Sequence, residues 1–270
     1  MLLLKGRLNE VHFIDQRMVK KIGVVREEIR PARLEIETWA LSVARKSGLN
    51  VPQVFDYYRD LGGREVLILE RVEGMPFSLG SLKKDAVCMH DVGEQMKLLK
   101  NVSCGYGWVD PPSFVGRYKT WKSFIISYTN FYGRRLLENG ILESDTLQDL
   151  LQLIERCSFY LGQSYLVHRD LKPGNLMKDD SGKIWIIDWE NAMLGDPLYD
   201  IAIFGVREGH GAPWQNLVCG YGLDLSSPKY LLYEIVCLIG IIDFYAEYKV
   251  RYPKGQRQLF RLIRNLQNLL

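Results

Sequence analysis

The chain of 270 residues carries 35 Lys and Arg against 32 Asp and Glu, a net charge of +3, with 47% apolar and 25% charged residues. This balance supports a sizeable core, argues against disorder, and lacks the concentrated basic face that nucleic-acid binding needs. The length sits where one core tends to divide into two lobes.

Five cysteines (Cys88, Cys104, Cys157, Cys219 and Cys237) are odd in number and scattered, with no Cys-x-x-Cys pair. They read as reduced thiols of a cytoplasmic protein. The apolar run at residues 1–4 is too short for a signal peptide. The longest apolar run, 231–245, contains Glu234 and Asp243 and is too short to cross a bilayer. The expectation is a soluble protein without a membrane or nucleic-acid partner.

In chain order, the first 72 residues read as strands around one helix. Val11-His12-Phe13-Ile14 and Met18-Val19-Lys20 flank a turn at Asp15-Gln16, and Val66-Leu67-Ile68-Leu69 forms a buried strand after the Gly62-Gly63 turn. Between them, 34–44 has helical character and ends before Gly48 and Pro52. After Gly74 the pattern turns helical. Val92, Met96 and Leu99 share a face within 87–99, and 119–137 is aromatic-rich. Ser144 is expected to cap a helix with Leu147, Leu150, Leu151, Ile154 and Leu161 on one side. Leu166-Val167 and Ile184-Trp185-Ile186-Ile187 read as short strands around a polar loop, and 228–270 as helix. Near its end Lys254, Arg257, Arg261 and Arg264 oppose Leu259, Leu262, Ile263 and Leu266, the pattern of a solvated amphipathic helix. The expected architecture is α+β in two lobes: a small β-rich lobe over 1–72, a hinge near 70–74, and a larger, mostly helical lobe over 73–270.

The chemistry concentrates in His168-Arg169-Asp170-Leu171-Lys172-Pro173-Gly174-Asn175, with Asp188-Trp189-Glu190 beginning thirteen residues after Asn175. Phosphoryl transfer needs these residue types. The polyphosphate is held by magnesium, which takes oxygen ligands such as Asn175 and Asp188. A further carboxylate, Asp170, orients the attacking hydroxyl and accepts its proton.

These residues resemble the protein-kinase-like fold and, within it, the aminoglycoside phosphotransferase and choline kinase family. The segment Gly195-Asp196-Pro197-Leu198-Tyr199-Asp200-Ile201-Ala202 is similar to the family's Gly-Asp-Pro-x-x-Asp-Leu-Ala. Only eleven residues lie between Asp188 and Asp200, too few for the activation segment and peptide platform of a protein kinase. The resemblance implies a nucleotide-binding lobe over 1–72 and a catalytic and acceptor-binding lobe over 73–270, with ATP and magnesium as cofactors and a small-molecule alcohol, such as an aminoglycoside or related amino alcohol, as acceptor. It also implies residue roles. Lys20, held by Glu37 rather than Glu35, would anchor the α- and β-phosphates; backbone groups of Glu70 and Val72 would pair with adenine; Lys172 would help neutralise the transferring phosphate. Lys20 is chosen over Lys21 because Val19 then faces the core. Gly6-Arg7-Leu8-Asn9 stands where the family has its nucleotide loop, with little room for a first strand before it.

Rival readings remain at this stage. Arg169, where the family usually has Gly, and Lys172 read like a protein serine/threonine kinase loop, and a non-catalytic ATP-binding regulatory module is a third possibility. Lys20 and Glu37 could be an ordinary surface ion pair. His168, Asp196 and Asp200 read as bracing groups rather than as base or metal ligands. Tyr199, Phe204, Trp214, Tyr221 and Tyr245 either line an acceptor pocket or fill a core, and Asp224, Glu234, Asp243 and Glu247 are acids available to a cationic acceptor.

Overall fold

Asp15 closes the first hairpin: its Oδ1 accepts from the Arg17 N–H at 2.6 Å and from the Met18 N–H at 2.8 Å. β2 (Asn9–Phe13) therefore turns back into β3 (Met18–Gly23). A computed structural model describes residues 3–5, 9–24, 33–100, 102–157, 159, 161, 163–225 and 228–269. β1 (Leu3–Lys5) pairs antiparallel with β2, so a short first strand does fit before the nucleotide loop. Of that loop only Asn9 lies within the described residues. β4 (Val54–Arg59) and β5 (Glu65–Glu70) complete a five-stranded sheet of order β1-β2-β3-β5-β4. α1 (Leu34–Lys46) packs on this sheet through Leu34, Leu41 and Ala44, and its exposed first turn is satisfied by Glu65, which accepts from the Leu34 N–H at 3.0 Å.

Past Glu70 the chain enters the larger lobe. β6 (Met75–Pro76) joins β10 (Leu176–Lys178) and β11 (Ile184–Ile186) in a three-stranded sheet, while α2 (Leu79–Lys84) and α3 (Cys88–Met96) follow the hinge. β7 (Tyr106–Asp110) and β8 (Val115–Tyr118) form a hairpin that the sequence reading did not anticipate. They share a sheet with β9 (Tyr165–Val167) and β12 (Met193–Gly195). α4 (Trp121–Glu138) starts at Thr120, whose side chain accepts from the Ser123 N–H. In α5 (Ser144–Arg156) the expectation is corrected: Ser144 is the first helical residue, extended Glu143 precedes it without a side-chain cap, and Leu161 lies beyond the helix. The region after 228 is two helices, α8 (Pro228–Glu247) and α9 (Pro253–Leu269), and α9 buries Leu259, Leu262, Ile263 and Leu266 with its basic residues exposed.

Two apolar clusters fix the site. One unites α4, α5, α8, α9 and α6 (Leu198–Glu208). The other runs from α1 and β5 through α3 to β9, the catalytic loop and α7 (Ala212–Tyr221), and so crosses between the lobes. α3 and α7 touch backbone to backbone: a Cβ on Gly220 would lie 2.0 Å from the His90 carbonyl oxygen, and one on Gly93 would lie 2.5 Å from that of Leu217. Among the described residues no helix is long and apolar enough to cross a membrane.

Candidate active site

The loop after β9 is held by two groups buried beneath it. Asp200, on the first turn of α6, accepts the His168 N–H at 2.9 Å and the Arg169 N–H at 2.7 Å. Burial pushes its carboxyl up to about 7 against the opposing pull of these two N–H groups. His168 is fully buried, and both ring nitrogens are committed. Nε2 lies 3.0 Å from the Ile187 carbonyl, which can only accept, so Nδ1 is the acceptor for the Asp170 N–H at 3.2 Å. Burial lowers the His168 pKa and keeps the ring neutral. Neither group is placed for proton transfer. Asp196 likewise serves the framework, accepting from the Tyr233 hydroxyl at 2.7 Å and from Lys229 at 3.0 Å.

On this frame Asp170 faces the interlobe cavity. Its Oδ2 accepts from Lys172 at 2.6 Å and from the Asn175 amide at 3.1 Å, and its Oδ1 accepts from Arg207. Burial alone would raise its pKa; Arg207 and Lys172 outweigh burial and hold the carboxyl down at about 2. Arg207 lies at the end of α6 and was not singled out in the sequence. Lys172, expected at the phosphates, is seen on Asp170. Asn175 also donates to the Asp170 carbonyl at 2.9 Å, which fixes its amide orientation and leaves its side-chain oxygen as the free end.

Opposite the loop, the lysine expectation is corrected. Lys21, not Lys20, donates to Glu37 at 2.7 Å and to Asp188 at 2.6 Å, with Glu190 at 3.5 Å. Lys20 points to the other face of β3, across from His12 and Ile68. The register argument failed because it set core and cleft on opposite faces of the sheet. Here they are the same face: Val11, Val19 and Leu69 roof the cavity beside Lys21. Burial would lower the Lys21 pKa, but Asp188, Glu37 and Glu190 overcome it and raise it well above its ordinary value, so the ammonium is retained. Glu37 is pushed up to about 7, chiefly by burial, against the attraction of Lys21. Glu35 points elsewhere, toward Tyr57 and Arg59. Glu190, held by the Asn9 amide, is a further buried carboxylate whose position was not read from the sequence.

Glu70 and Val72 line the same cavity, whose volume is about 1530 Å³. The Glu70 N–H donates to Gln53 O at 2.8 Å, which commits that donor within the small lobe. Two non-glycine residues at the site adopt left-handed backbone, Arg169 at φ +66 and Asp188 at φ +67. Such strain persists where surrounding contacts over-determine it. For Arg169 those contacts are the Asp200 carboxylate on its N–H, the Trp108 ring 4.0 Å from its guanidinium carbon and the Tyr128 hydroxyl at 3.3 Å.

Residues 4–226 match the model of the Phosphotransferase enzyme family. Hygromycin-B 4-O-kinase of Escherichia coli is 25% identical over 166 residues, which cover 58% of this chain and 47% of that enzyme; the chain thus matches about half the length of this relative. Aminoglycoside phosphotransferase APH(4)-Ia, solved as a ternary complex with AMP-PNP and hygromycin B, superposes with a TM-score of 0.74 at 19% identity, covering 97% of this chain and 92% of that one. A choline/ethanolamine kinase family protein from Mesorhizobium loti gives 0.67 at 18% identity, covering 98% and 87%. At these identities the solved structures establish the two-lobed kinase-like fold. The family match spans most of the chain, including the stretch that carries Asp170, Asn175 and Asp188: the chain belongs to the phosphotransferase enzyme family.

Proposed function

We propose that the protein is an ATP-dependent phosphotransferase that phosphorylates a hydroxyl of a small molecule, the reading that the aminoglycoside kinases among its relatives favour. One observation carries it: Asp170, Asn175, Asp188 and the Lys21–Glu37 pair all face a single cavity that also contains the hinge. In this reading adenine lies under Val11, Val19 and Leu69 and pairs with the Glu70 carbonyl and the Val72 N–H. Lys21, fixed by Glu37, takes the α- and β-phosphates.

The residues present fit magnesium. Asn175 offers its free side-chain oxygen and Asp188 the oxygen not given to Lys21, both hard donors of the kind that ion takes. When bound it would neutralise charge on the phosphates as the phosphoryl group transfers. Glu37, Asp188 and Glu190 also converge closely, but Lys21 already supplies the cation at their centre.

The acceptor oxygen attacks the γ-phosphorus as the bond to the β,γ-bridging oxygen breaks; the hydroxyl proton passes to Asp170 and ADP leaves. Asp170 is ionised at neutral pH, so its task is to orient the hydroxyl and take the proton late, when the forming phosphoester has acidified it. In this reading Lys172, which donates to Asp170, would turn to the transferring phosphoryl once the nucleotide is bound.

The protein-kinase alternative rested on Arg169 and Lys172. Arg169 is spent on Trp108 and Tyr128, and β12 and α6 occupy the short span where a peptide platform would need room. Purified protein with ATP and magnesium is expected to phosphorylate at least one small alcohol and leave casein and histone unlabelled. Labelling of those proteins, with no small-molecule turnover across a broad acceptor panel, would overturn the proposal.

A further inference from the structure

The cavity continues past Asp170 into a chamber whose wall is aromatic. Tyr128 and Tyr132 of α4 stand on one side, with ring centroids 4.5 Å apart. Phe244 and Tyr245 of α8, Tyr248 in the turn that follows it and Tyr252 before α9 stand on the other, with Phe244 and Tyr248 4.8 Å apart and Tyr245 stacked on Tyr252 at 4.8 Å.

The acids expected to greet a polycation are elsewhere or already engaged. Asp243 is 1% exposed and bound to Arg135 at 2.7 Å. Glu234 is 4% exposed and shared by His210 and Tyr230. Asp224 does not line the cavity. Of the four, only Glu247 does, and it lies 3.7 Å from the same Arg135; Glu208, next to Arg207 at the end of α6, lines the cavity as well, among Arg207, Lys172 and Lys254. Nearest the base are cations instead: Arg207 and Lys172 on Asp170, with Arg169 behind them. The residues of α8 and beyond that build this wall also follow residue 226, where the family match ends, so the family's acceptor preferences do not extend to it by sequence.

We propose that the acceptor is an alcohol presenting an aromatic or apolar face to the α4–α8 wall and carrying at most one positive charge, rather than a polycationic amino sugar. This rests on the phosphotransferase reading above. A stacked ring contributes most where it is desolvated, whereas each ammonium brought beside Arg207 and Lys172 loses hydration and meets like charge, and the acids there, Asp170, Glu208 and Glu247, already lie beside cations of the protein.

The test compares kcat/KM for an aryl glycoside, an uncharged macrolide-type polyol, kanamycin and hygromycin B, with binding of each followed separately by calorimetry in the presence of a non-hydrolysable ATP analogue. Transfer to an aryl or apolar alcohol is expected to exceed that to either amino sugar by tenfold or more. Tyr248→Ala is expected to raise KM for that alcohol by about tenfold while leaving KM for ATP unchanged, and Tyr248→Phe to restore it. An unchanged ATP constant also shows that the variant is folded. Equal or better turnover of kanamycin or hygromycin B would overturn the inference and leave the phosphotransferase reading standing. Binding of the aryl compound without any transfer would do the reverse. Neither binding nor transfer of the aryl and apolar compounds would overturn the inference as well.

Discussion

Arg207 donates to Asp170 across thirty-seven residues of chain, so the carboxylate beside the cavity is held by a cation from the end of α6 as well as by its own loop. Removing that cation removes the strongest of the attractions that hold the Asp170 pKa down against burial. In Arg207→Met the pKa is expected to climb by ~1 unit or more. The acid limb of kcat/KM then moves to higher pH, which a pH–rate profile reads directly. The stability effect has the same sign. A carboxyl depressed to about 2 contributes stability above its unfolded value of 3.8, and that contribution fades as pH falls toward 2. With a smaller depression the contribution shrinks, and acid unfolding begins at higher pH in the variant.

The adjoining lysines should separate cleanly. Lys21→Met is expected to raise the KM for ATP and to lower kcat/KM by ~100-fold or more, the scale of a lost charge clamp on transferring phosphate. Lys20→Met, on the opposite face of β3, should change either constant by less than about twofold. Steady-state kinetics at varied ATP reads both, and equal losses would refute the register seen here.

Arg169 offers a test of backbone strain. At φ +66 a glycine is free of the penalty that any side chain carries. Arg169→Gly and Arg169→Ala lose the same contacts with Trp108 and Tyr128, so their difference isolates the backbone. The glycine variant is expected to be the more stable by ~1 kcal/mol in urea unfolding. An alanine variant of equal stability would mean that the loop relaxes out of the left-handed region.

Gly220→Ala should force α3 and α7 apart, since the new Cβ would meet the His90 carbonyl at 2.0 Å. A loss of about 1–3 kcal/mol is expected, read as a lower urea midpoint at unchanged slope. The catalytic residues are not on either helix, so turnover of the folded fraction should persist.

What could be read from the sequence followed the local chemistry. Asp170, Asn175 and Asp188 stood out because loop spacing alone fixes their kind and order. The choice between Lys20 and Lys21 did not, because strand alternation defines two faces without saying which one the cleft shares with the core. Arg207 was hidden because α6 delivers it from far along the chain to a site with no local signature. The β7–β8 hairpin gave little pattern, its strands being short and separated by Pro111 and Pro112. The aromatic list likewise mixed two populations: Tyr199 and Tyr245 line the cavity, while Phe204 and Tyr221 are core and Trp214 stacks edge-on to His210. Periodicity marks a helix face as apolar; only tertiary placement says whether a ligand or another helix meets it.

The contact at Gly74 has a wider consequence. With φ +147 and space for no Cβ, which would fall 2.3 Å from the Lys178 carbonyl, it lets β6 lie on β10. β10 in turn pairs with β11, which runs into Asp188. The chain just past the hinge and the aspartate proposed to hold the ion are thus stitched into one frame, so the floor of the cleft is a single unit built from segments a hundred residues apart.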